Sequence, residues 1–128
     1  MGIFNKIFSG SSESKEEKTL PWNALTDSNQ LQDIVENSKT KTQLIFKHST
    51  RCGISRMVMN HFVSAYDPDL NVDLYYLDLL NYREVSNKIR DQFGVIHESP
   101  QLLIIKNGEV VTHASHGAIN DIDIARYL

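Results

Sequence analysis

The chain holds one cysteine, Cys52, in the stretch HSTRCGIS (48–55), where a strand-like run stops and a helix-like run begins. A thiol at that address has a definite chemistry. The first turn of a helix presents unpaired N–H groups and the positive end of the helix dipole, and both favour an anion. A thiolate is such an anion, and helix-initial cysteines are often nucleophiles for that reason. Arg51 precedes the sulfur, Arg56 lies about one turn on, and Lys47 and His48 end the strand, so all four could add positive potential. Ser55, one turn from Cys52, can donate a hydroxyl hydrogen bond to the thiolate. The bland alternative is a buried cysteine serving as apolar filler. Filler would not normally sit amid Ser, Thr, Arg and Gly at a loop–helix boundary. His48 and the two arginines read equally well as ordinary solvated charges.

A second feature points to the same place. In HESPQLL, Pro100 stands immediately before a strand expected to lie beside the first one. Proline at strand entry removes a ladder donor and needs a reason. Either it merely ends a loop, or the Ser99–Pro100 bond is cis and sets a backbone edge against the thiol. One cysteine leaves no internal disulfide, no multi-cysteine metal site and no disulfide-stapled secreted domain. His113 and His116 do not suggest a metal site, because their odd spacing on a strand sends them to opposite faces.

The elements that must position these residues follow from period. The 128 residues suffice for one domain, and a net charge of −3 offers no electrostatic case for nucleic acid. No apolar stretch approaches a membrane span, and no long apolar segment marks a secretory signal, so a cytoplasmic protein is expected. MGIFNKIF carries a short apolar stripe, Ile3, Phe4, Ile7 and Phe8. It reads as an arm that docks on its own domain or frays, or as a partner- or membrane-docking helix too short to hold alone. Lys6 breaks the N-terminal lipidation pattern. With the polar linker 9–18 the arm spans 1–18, and the domain spans 19–128.

Within the domain, Asp27 and Gln30 suggest a capping box before the stripe Leu31, Ile34 and Val35. QLIFKHS (43–49) reads as a strand buried on both faces. Ile54, Val58, Phe62 and Tyr66, with Met57 and Val63 beside them, predict a helix ended by Asp67-Pro68. VDLYYLD (72–78) alternates as a strand. Asn81 and Glu84 suggest a second capping box, for a helix with Val85, Ile89 and Phe93 that stops at Gly94. Asn107-Gly108 joins two strands in a hairpin. Ile119, Ile122 and Tyr127 suggest a closing helix from about Asp121, and LPWNAL (20–25) could supply an edge strand. Alternating strands and helices with a terminal hairpin give an α/β fold with a central mixed sheet of four to five strands.

PQLLIIKNGEVV with ASHGAI, preceded by the helix-initial cysteine, resembles the thioredoxin superfamily over about residues 20–128. With HSTRCGIS and FGVIHESPQ, the chain is most similar to the single-cysteine bacilliredoxins. That resemblance implies cytosolic proteins that strip bacillithiol from mixed disulfides on other proteins. It makes Cys52 the nucleophile, puts Ser55 in the resolving-cysteine position and makes Pro100 the cis-proline. Thr50, Gly53, Ser99, Pro100 and Gly117 become the small-thiol and substrate-binding set, with Ser55 and Arg51 stabilising the thiolate. Bacillithiol would be a cosubstrate, with no tightly bound cofactor or metal. Free bacillithiol and a separate disulfide reductase would recycle the enzyme. Three departures stand out: Arg51 replaces the usual tryptophan, Gly53 replaces the usual proline, and the span from Gly94 to Pro100 is one residue longer than in ordinary thioredoxins.

A lone thiol can accept a group from a mixed disulfide but cannot release it unaided. Bacillithiol's malate unit carries two carboxylates, which a planar arginine fork suits. Arg51 is favoured over Arg56, expected to point along the helix into solvent. Two other functions compete. CGIS differs at one position from the C-G-F-S motif of monothiol glutaredoxins, which hold iron–sulfur clusters between subunits. A non-catalytic thioredoxin-like adaptor is the other, and an unreactive Cys52 would mark it.

Overall fold

The computed structural model describes residues 19–128, so the expected arm and linker lie outside the described residues. The elements run β1 (Trp22–Ala24), α1 (Gln30–Asn37), β2 (Thr42–His48), α2 (Gly53–Ala65), β3 (Val72–Asp78), α3 (Arg83–Phe93), β4 (Gln101–Lys106) and β5 (Glu109–Ser115). Two 3-10 helices, η1 (His116–Asp121) and η2 (Ile124–Tyr127), follow. One sheet forms in the order β1-β3-β2-β4-β5. β1, β3 and β2 are parallel, while β4 and β5 are antiparallel. LPWNAL does supply the edge strand, pairing Trp22–Ala24 with Leu74–Tyr76.

β2 is central, and every one of its residues is buried, as its continuous apolar run predicts. Alternation along a strand sends neighbours to opposite faces. Leu44 and Phe46 join Val58, Met59 and Phe62 in the core under α2. Ile45 joins Leu31, Ile34, Val85 and Ile89 in the core under α1 and α3. Each such side chain fully removed from water contributes roughly 1.5–3 kcal/mol. By the same alternation, His48 belongs to the α2 face and Lys47 to the other.

Some local signals hold and others give way. Gln30 Oε1 accepts the Asp27 N–H at 3.0 Å, one half of the expected capping box, but Asp27 Oδ1 accepts the Asn29 N–H at 2.8 Å instead of that of Gln30, and Asn29, the N-cap of α1, makes no side-chain cap bond. Gly94 ends α3 at φ 69°, and Asn107 and Gly108 take φ 53° and 81° in the hairpin turn. Asn81 does not cap α3. Its Nδ2 donates to Asp78 Oδ2 at 2.7 Å, and Tyr82 takes the cap position without a side-chain bond. The expected closing helix is absent, replaced by η1 and η2 with extended residues Ile122 and Asp123 between them. Ile119 to Ile122 and Ile124 to Tyr127 are both spaced by three, the 3-10 period, so these turns bring all four onto the first core.

The stripe of α2 is also rotated from expectation. Its buried residues are Ser55, Val58, Met59 and Phe62, while Ile54 and Met57 are 56% and 65% exposed. Ile54 and Met57 therefore lie on the outer side of the helix, away from the face that Ser55, Val58 and Phe62 bury.

Candidate functional site

Cys52 is the N-cap of α2 and is half-buried. Its N–H donates to Ser49 O at 3.2 Å, and its carbonyl accepts the Arg56 N–H at 3.0 Å, which fixes the loop onto the helix. Register places the other expected site residues at the same end of the sheet. Gln101 stands opposite both Lys47 and Ser115, so Pro100 and the start of η1 lie beside the end of β2. The Ser99–Pro100 bond is cis, and the His116 N–H donates to Pro100 O at 3.0 Å. Gly117 follows, exposed. Ser99 Oγ is enclosed and has no hydrogen-bond partner among the described residues.

On the other flank, Thr50 and Arg51 meet Leu80 and Asn81, which follow β3, and together they line an open cleft of about 390 Å³. Of the expected binding residues, Thr50 lies with Arg51 toward β3, Ser99, Pro100 and Gly117 lie toward β4 and β5, and Gly53 is the exposed first residue of α2 between them. Arg56 does not run out along the helix, because its Nη1 donates to Thr50 O at 3.4 Å.

The structure corrects the expected electrostatics around the thiol. Ser55 is fully buried, and no hydrogen bond joins its hydroxyl to Cys52 among the described residues. Ser55 Oγ instead accepts the Ser49 N–H at 3.1 Å and lies 2.8 Å from His48 Nδ1. His48 is 5% exposed, and burial holds its pKa below the ordinary histidine value, with Asp78 opposing and Arg56 reinforcing that shift. Burial disfavours its charged form, so it is not the surface cation expected. Lys47 faces away from the thiol, buried on the α3 side with its Nζ 2.9 Å from His97 Nδ1. Burial, with Arg90 adding repulsion against a smaller pull from Glu98, lowers its pKa to about 8. Of the four expected cations, only Arg51 and Arg56 remain exposed at the loop.

Sequence reasoning missed Leu80, Asn81 and His97. A signal existed for the last: a strand buried on both faces must send Lys47 into the second layer, where it needs an acceptor. His97 is that acceptor, and Gln101 Nε2 donates to Ile96 O at 3.0 Å. Together they tie the long loop before Pro100 to the sheet.

A parallel-stranded core with an antiparallel hairpin, a helix-initial cysteine and a cis-proline at the same end of the sheet define a thioredoxin-fold thiol protein. Solved structures agree. An oxidoreductase with a thioredoxin fold is 32% identical at a TM-score of 0.70, covering 82% of this chain and 91% of that one. Thioredoxins from Malassezia sympodialis and Schistosoma mansoni share the fold at 16% and 20% identity. Their TM-scores are 0.63 and 0.62, over 85% and 84% of this chain and 89% and 98% of theirs. The family model for monothiol bacilliredoxin BrxC matches residues 23–124, and the chain belongs to that family. Family and fold together give it a redox function.

Proposed function

We propose that the protein removes bacillithiol from S-bacillithiolated proteins, with Cys52 as the nucleophile. The observation that carries this reading is a half-buried thiol at a helix N-cap, in a chain with no second cysteine. The Cys52 thiolate attacks the bacillithiol sulfur of the mixed disulfide. One S–S bond forms to Cys52 as the old one breaks, and the target leaves as a thiolate, so no net oxidation or reduction occurs. A second thiol, free bacillithiol or that of a separate reductase, then displaces bacillithiol from Cys52. Ser55 cannot supply that thiol, so the adduct persists until an outside thiol arrives.

The two flanks of the loop support the reading. Arg51 in its cleft offers a planar fork to the malate carboxylates, and the exposed Gly117 leaves the other flank open. The test is intact-mass measurement after mixing with a bacillithiolated protein. One bacillithiol adduct should appear on the native chain and none on Cys52→Ala. A native chain that stays unmodified while the substrate keeps its adduct would sink the proposal.

A further inference from the structure

Ser55 has two acceptor lone pairs and one proton. One lone pair takes the Ser49 N–H, and the oxygen lies 2.8 Å from His48 Nδ1. Both residues are more than nine-tenths buried, so this bond is not shared with solvent. His48 is in turn enclosed by other groups on its face. Its ring centroid lies 5.7 Å from Tyr76 and 6.5 Å from Phe46. Asp78 is its register partner on β3, and the Asp78 Oδ1 atom is buried with no hydrogen-bond partner among the described residues. Arg56 on α2 is the opposing cation. A serine, a histidine and an unsatisfied carboxylate oxygen thus stand together behind the first turn that Cys52 opens.

We propose that His48 and Ser55 are a proton relay for Cys52. The Cys52 S–H passes its proton to Ser55 Oγ while Ser55 passes its own to His48 Nδ1. One S–H and one O–H bond break, one O–H and one N–H bond form, and the products are a thiolate and an imidazolium. With the Cys52 side chain turned toward Ser55 Oγ, the wire is complete in both states. Neutral His48 accepts from Ser55, which accepts from the thiol; charged His48 donates to Ser55, which donates to the thiolate. The unpaired Asp78 oxygen gives the imidazolium a nearby countercharge. Rotation about the Cys52 side chain is the one link the proposal adds to the geometry described. His48 acts only through Ser55 and is a positioning residue. The relay rests on Cys52 being the nucleophile, but not on which thiol it carries.

Iodoacetamide alkylation of Cys52 across pH 5–9 tests it without any bacillithiol, so its failure is distinct from failure of the transfer reading. Ser55→Ala and His48→Phe should each slow alkylation at pH 7 roughly three- to tenfold, with the rate recovered at high pH. The double variant should be no slower than the slower single one. His48→Gln keeps a hydrogen-bond acceptor but cannot take a proton, so it should stay slow. The relay is overturned if the losses multiply in the double variant, if His48→Gln reacts like the native protein, or if either loss is uniform across pH.

Discussion

Lys47 and His48 are adjacent on β2, both are basic by type, and both are buried, yet the sheet sends them into different layers with different outcomes. Lys47 faces α3 with one acceptor, His97, and its pKa of about 8 leaves it largely charged at neutral pH. His48 faces α2, where burial disfavours its charged form, and it is a hydrogen-bond partner of Ser55. A buried amine carries its desolvation cost at pH 7, whereas a buried imidazole avoids it by neutralising. Basic residues beside a thiol are therefore not evidence of positive potential until their face is known.

The contrast predicts two separate pH windows. Lys47 has a folded pKa near 8 and an unfolded one near 10.5. Between them the unfolded chain holds more protons, so stability rises with pH across that window, and below it the penalty is fully present. A shift of that size corresponds to roughly 3 kcal/mol. Lys47→Met should raise stability at pH 7 by up to about 2 kcal/mol and flatten the alkaline rise. Denaturant melts at pH 7 and pH 10 measure both, and an unchanged alkaline rise would erase the distinction between the two residues.

His48 should contribute in the opposite part of the range. Its folded pKa lies below 6.5, so the unfolded chain takes the proton first and stability falls as pH drops through that region. His97 shifts the same way, from burial first and then the charges of Lys47, Arg83 and Arg90. His48→Phe should therefore reduce the acid-side loss without abolishing it. At pH 7 it should cost about 1 kcal/mol, for the Ser55 hydroxyl left without its partner. Melts between pH 5 and 7 would show this, and an acid limb as steep as the native one would contradict it.

The smallest effect is expected on the outer side of α2. Ile54→Ser and Met57→Ser remove exposed groups and should change stability by less than about 0.5 kcal/mol. A larger loss in either melt would mean that the first turn is packed after all.

These residues also show what the sequence could tell. The strands at 72–78 and 22–24, the stop at Gly94, the hairpin at Asn107-Gly108 and the proline at 100 were legible, because each rests on local chemistry that nothing distant overrides. Asn81 misled because its amide had a nearer partner in Asp78. The closing helix misled because spacings of three suit a 3-10 turn as well as an α-helical stripe. At the site, the address of Cys52 and its neighbours in sequence was readable, but Ser55's hydroxyl direction was not. That direction depends on His48, seven positions earlier, being turned inward by a strand buried on both sides.

Trp22 on the short edge strand is the only tryptophan in the chain. Its ring lies 6.2 Å from Phe46 and 5.8 Å from Tyr76, the two rings that flank His48. The molecule thereby carries a native fluorophore one aromatic ring away from the imidazole behind its thiol. Its emission comes from a single address, so a change there as pH or the state of Cys52 varies can be read optically, without a label and without touching the sulfur.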